Sequence, residues 1–137
     1  MELQNAMSIA ASGMRTQSVR MRVIAENIAN ADTTALTPGG DPYRRKTITF
    51  ENVLDRESGV KKLEVGRVGQ DMSPFRTKYD PSHPAADAKG YVKLPNTTGL
   101  IENMDMKQAQ RSYEANLGVI EINRSMYQRT LELLRTR

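Results

Sequence analysis

From Gly99 to its C-terminus the chain runs without a proline, and its apolar side chains there fall on two faces at once. At 100° per residue Met106, Tyr113, Leu117, Ile120, Tyr127, Leu131 and Leu134 share one face of a helix. Ile101, Met104, Ala115, Val119, Ile122, Met126 and Leu133 share roughly the opposite one. Glu114, Glu121, Gln128 and Glu132 fill one side between them, and Asn116, Asn123 and Thr130 fill the other. A helix with a single apolar stripe packs on one neighbour, whereas one with two must be sandwiched. The spacing predicts a helix over 99–136, roughly 56 Å long, with Thr97 or Thr98 as its cap.

The N-terminal block carries a second long helix. Residues 3–31 contain no proline, and Met7, Met14, Met21 and Ile28 recur every seven positions. Leu3, Ala10, Gln17, Ile24 and Ala31 accompany them, which is the heptad pattern of a coiled-coil seam. That helix, roughly 43 Å long, can cover only one of the two C-terminal stripes. The other stripe needs another molecule, so the expectation is a chain that assembles.

Between these blocks the character changes. Thr37-Pro38-Gly39-Gly40-Asp41-Pro42 ends any helix. Thr47–Phe50, Leu63–Val65, Phe75–Tyr79 and Tyr91–Leu94 then alternate as short strands do. Gly59, Gly66, Gly69, Pro74, Pro81, Pro84 and Gly90 read as the joins between them. The fold class is therefore mainly α with a small β-rich insert, its terminal helices pairing as a coiled-coil-like hairpin in an elongated subunit. The parts are 1–35, 36–98 and 99–137. Aromatic residues make up only 5% of the chain, with no Trp, which is thin material for a compact core.

The net charge of +4 does not make a nucleic-acid surface. Residues 36–98 hold the excess, eleven basic against eight acidic side chains, with the signs interleaved. Only Arg44-Arg45-Lys46 approaches the one-sign stripe that phosphate binding needs. Cysteine is absent, which removes disulfides, thiolate nucleophiles and cysteine-held metals. The lone His83 sits beside Pro84, which breaks the helix that would align it with Asp87 for a metal. No nucleophile elbow, phosphate loop or isolated carboxylate pair occurs, so neither an enzyme nor a cofactor is expected. The first residues lack the basic and apolar regions of a cleaved signal, and no apolar run reaches membrane-span length. On those grounds alone the chain would be cytoplasmic.

Three stretches carry a resemblance that changes this expectation. They are Ala25-Glu26-Asn27-Ile28-Ala29-Asn30-Ala31-Asp32-Thr33-Thr34, the middle segment Pro42–Lys46 with Tyr79–Asn96, and Met106-Lys107-Gln108-Ala109-Gln110-Arg111-Ser112-Tyr113-Glu114-Ala115-Asn116. Together they resemble the rod and hook axial proteins of the bacterial flagellum, and the middle segment resembles the proximal rod members in particular. The resemblance implies a structural subunit of the basal-body rod, part of a helical tube that spans the periplasm and transmits motor torque for motility. It implies export without a cleaved signal through the flagellar type III apparatus. Its partners would be further copies, other rod proteins, and the inner-membrane ring with its rod adaptor, with no nucleic acid and no membrane insertion. A helical adaptor or export chaperone is the alternative. Subunit contacts are expected from Leu3, Met7, Ala10, Met14, Met21, Ile24, Asn27, Ile28 and Asn30 on the first helix. On the second they are expected from Met106, Tyr113, Leu117, Val119, Ile120, Ile122, Met126, Tyr127, Leu131 and Leu134.

Overall fold

A computed structural model describes residues 2–135. The element order is α1 (Glu2–Ala29), β1 (Lys46–Leu54), β2 (Lys61–Gln70), β3 (Arg76–Tyr79), β4 (Tyr91–Leu94) and α2 (Gly99–Arg135). All four predicted strands are present, and β1 and β2 are longer than the alternation suggested. Gly66 and Gly69 lie inside β2 rather than at joins. The strands form two separate two-stranded sheets, β1 with β2 and β3 with β4. Residue 136, the last of the predicted C-terminal helix, is outside the described residues, as are residues 1 and 137.

Helix α1 stops at Ala29, two residues before the predicted end. Asn30 closes it, its side-chain amide donating to the Glu26 carbonyl at 2.8 Å. Ala31 and Thr33 then turn back onto the Ile28 and Asn30 carbonyls. Asparagine suits such a stop because its amide satisfies a terminal carbonyl. The left-handed conformation that often accompanies the stop is not used, since among the described residues no non-glycine residue has a positive φ. Helix α2 starts where the Thr98 carbonyl accepts the Glu102 N–H at 3.0 Å, which makes Thr98 the cap position.

The chain divides into two compact units. Unit 1 holds α1 as far as Met21, Thr49–Arg67, and α2 from Lys107 onward. Here the helices run in opposite directions, with Gly13 against Asn116 and Arg20 donating to Gln108 at 3.1 Å. A Cβ on Gly13 would lie 2.8 Å from the Asn116 amide, so the close approach depends on glycine. On another side of α1 the Ser12 hydroxyl accepts the Leu63 N–H and the Thr16 hydroxyl donates to the Leu63 carbonyl. Two small polar side chains thereby satisfy the Leu63 backbone groups on β2.

Unit 2 comprises Arg22–Ile48 and Val68–Met106. Strands β3 and β4 pair antiparallel, with Arg76 opposite Leu94 and Tyr79 opposite Tyr91. The two tyrosine rings stack edge to face, 5.2 Å between centroids, over Gly90. Gly90 has φ +83°, a conformation that favours glycine. Val23, Ile24, Ala85 and Val92 form the apolar core of this unit. Around them are buried polar residues, and those organise the site.

Candidate assembly surface and its polar hub

Asn27 is 1% exposed and uses its whole hydrogen-bonding capacity within unit 2. Its amide nitrogen donates to the Lys46 carbonyl at 2.9 Å and to Glu102 Oε2 at 3.2 Å. Its oxygen accepts the Tyr43 hydroxyl at 2.8 Å and the Lys46 N–H at 2.9 Å. One side chain late in α1 thus fixes the start of β1 and the first turn of α2. The sequence suggests Asn27 for contacts between subunits; within this chain its amide donors and acceptor are all engaged.

Glu102 carries the other half of the hub. Its side chain is wholly buried, and its second oxygen receives the Arg45 Nε. The same guanidinium reaches Asp105 at 3.3 Å and Asp71 at 4.0 Å. Burial acts to lower the Arg45 pKa, and the hydrogen bond and charge of Glu102, backed by Asp105 and Asp71, outweigh it and raise the pKa. Asn96 accepts the Arg45 N–H at 2.8 Å and donates to the Asp71 carbonyl at 2.9 Å. Burial pushes the Tyr43 hydroxyl up. The Ser73 backbone N–H and hydroxyl hold Asp71 below the usual carboxylate range. The Thr97 hydroxyl is buried beside this network without a hydrogen-bond partner.

The basic triplet is consumed in the same unit. Arg44 stacks over the Phe75 ring, 4.2 Å from its centroid, Arg45 enters the hub, and Lys46 pairs with Glu26 at 2.6 Å. Each charge that could have formed a phosphate stripe has an internal partner. His83 likewise serves its own loop, its Nδ1 accepting the Ala85 N–H at 3.1 Å. Among the described residues no three His, Asp or Glu side chains converge as a metal site would require.

The helical residues predicted at interfaces separate into two groups. On α1, Ala10 and Ile24 are buried within the chain, whereas Leu3, Met7, Met14, Met21, Ile28 and Asn30 are half-buried. The inward line is the companion series 10, 17 and 24, with Gly13, Arg20 and Asn27 interleaved, and the methionines lie on its flank. On α2 the inward line is Glu102, Ala109, Asn116 and Asn123, again every seven residues. By sequence Asn116 and Asn123 lie on a polar side of the helix; in the fold Asn123 is buried and Asn116 packs against Gly13. Met106, Tyr113 and Ile120 flank that line and are half-buried. Past them Leu117, Tyr127, Leu131 and Leu134 of the same stripe are exposed. The opposite stripe is exposed along its length, with Val119, Ile122 (63%), Met126 and Leu133 (72%) in unit 1. Ile101 and Met104 in unit 2 are exposed as well. Exposed apolar side chains at this spacing make the unit 1 part of α2 a candidate binding face.

Known proteins resemble this chain along nearly its whole length. A model of the flagella basal body rod protein family matches residues 7–35. The flagellar basal-body rod protein FlgC of Agrobacterium fabrum is 51% identical over 133 residues, covering 97% of this chain and 96% of the relative. FlgC of Escherichia coli O6:H1 is 39% identical over 97% of this chain and 98% of its own length. FlgC of Borreliella burgdorferi is 38% identical over 98% and 99%.

Proposed function

The chain belongs to the FlgC family of flagellar basal-body rod proteins, and from that membership we propose how its two helices build the rod. It is a structural subunit of the basal body, and the family is one of structural rod proteins rather than enzymes. The terminal helices polymerise into a helical tube, α1 covering the Asn116 face of α2 while neighbouring subunits cover the exposed stripes. The inserted strands lie outside that tube. The rod so formed spans the periplasm and carries motor torque, and the subunit arrives through the flagellar type III apparatus without losing an N-terminal signal. Its neighbours are further copies, other rod proteins, and the inner-membrane ring with its rod adaptor.

The observation that carries this is the stripe Val119, Ile122 and Met126, which is exposed among the described residues. Leaving such a stripe in water forgoes about 25 cal/mol for each Å² of apolar surface that a neighbour could cover. An unpaired carboxylate placed in such a contact costs several kcal/mol and recurs in every copy. Ile122→Asp in a flagellated strain lacking its own gene therefore abolishes swimming while leaving export of the subunit intact. Normal swimming by this variant means that the stripe faces solvent, and polymerisation through it is wrong.

A further inference from the structure

On unit 1 a cleft of about 800 Å³ opens between α1 and the tip of the β1–β2 hairpin. Small α1 side chains, Ser8, Ala11 and Ser12, line one side, and Val53, Leu54 and Val65 of the hairpin line the other. The Ser8 hydroxyl is buried there without a partner. Asp55 and Lys62, also in the lining, neutralise each other. Arg15 and Arg56 are exposed, and among the described residues neither has a carboxylate partner. Glu64 is the one other carboxylate of the lining, so the cleft is cationic overall.

A complementary edge exists on the same chain. Glu114, Leu117 and Glu121 follow one another at i, i+3 and i+7 on α2, and all three are exposed. Among the described residues neither Glu114 nor Glu121 has an ionic partner. We propose that the α1–hairpin cleft seats this edge of α2 from a second copy. Leu117 enters between the small α1 side chains and the hairpin, and the two glutamates meet Arg15 and Arg56. Opposite charges at a contact rim set register and suppress wrong partners. Cleft and edge are different surfaces of one chain, so the contact is heterologous and repeats along a polymer instead of closing a dimer. The inference rests on the rod-subunit function and adds the specific pair of surfaces.

The absence of cysteine gives a clean test. Cells whose only copy carries Leu54→Cys together with Leu117→Cys yield basal bodies that are treated with a short bis-maleimide. The expected product is a ladder of multimers of this chain, lost when either cysteine is omitted. Alongside it, Arg15→Glu with Arg56→Glu abolishes swimming, and adding Glu114→Arg with Glu121→Arg restores it. If basal bodies contain the chain but no ladder forms and the reversed charges give no rescue, the cleft is not the seat. An adduct joining this chain to a different rod protein overturns the choice of a second copy. Absence of the unmodified chain from wild-type basal bodies overturns the rod function itself, and this contact with it.

Discussion

Units 1 and 2 solve the problem of a thin apolar supply in opposite ways. Unit 2 buries few large apolar side chains and closes around hydrogen bonds, with Asn27, Glu102 and Arg45 satisfied among themselves. Unit 1 keeps its larger apolar residues on α2 outside, where Ile122, Met126 and Leu133 face water. A buried polar network adds little net stability over an apolar core, but it tolerates only one arrangement. An uncovered apolar stripe is the reverse, adaptable and incomplete. The contrast separates a part whose buried groups are satisfied internally from a part whose apolar α2 residues are left exposed.

The hub offers the largest single effect. Glu102→Ala leaves the Arg45 guanidinium without its main partner in a mostly buried place, at a cost of about 3–5 kcal/mol. Amide exchange across β3 and β4 of the monomer should accelerate accordingly. Unchanged exchange there would mean that unit 2 is held by its apolar residues instead.

Asn27→Ala removes four hydrogen bonds and strands the Tyr43 hydroxyl and a Lys46 N–H, a loss of about 3 kcal/mol. Asn30, in the next turn of the chain, behaves differently. Asn30→Ala gives up one bond to the Glu26 carbonyl, worth about 0.5–1.5 kcal/mol. Chemical denaturation of both variants, read from the tyrosine signal, tests that ranking, and equal losses would dissolve the distinction between hub and helix stop.

Hydrogen exchange on dilute wild-type monomer sharpens the comparison further. Protection should be strong over β3 and β4 and weak over residues 117–135 of α2, because a helix gains most of its stability from tertiary packing. Equal protection of both in a proven monomer would show that α2 needs no neighbour to be stable.

The smallest effect is electrostatic and belongs to the hairpin of unit 1. Lys62, the Glu57 N–H and the Ser58 hydroxyl hold the Asp55 carboxyl at about 2, below its ordinary value. The stabilisation this gives is complete above the ordinary aspartate pKa of about 3.9 and is lost as pH falls through about 2. A carboxyl NMR titration should find that low midpoint, and Lys62→Met should move it upward. A midpoint that does not respond to Lys62→Met would remove the ion pair as its cause.

The sequence by itself determined the elements and their periods. Both long helices follow from proline-free runs with seven-residue recurrence, and the four strands follow from alternation between turn residues. The same spacing required two apolar stripes on α2, and one of them is exposed from Ile101 to Leu133. What only the tertiary structure decided was which line of each helix turns inward. A period is unchanged by a rotation about the helix axis: the heptads put Met7, Met14 and Met21 in one seam with Ala10 and Gln17, and the fold turns the Ala10 and Gln17 line, with Gly13, fully inward while the methionines stay half-buried. Close helix contact instead selects small residues, and Asn116 of α2 faces α1 where Gly13 leaves it room. The hub was illegible for a related reason. Its members at 27, 43–46, 71, 96 and 102 have no common spacing, and a buried Glu102 looks like any surface glutamate until the fold brings Arg45 and Asn27 to it. Hydrogen-bond partners distant in the chain are fixed by the path of the backbone, which no local pattern records.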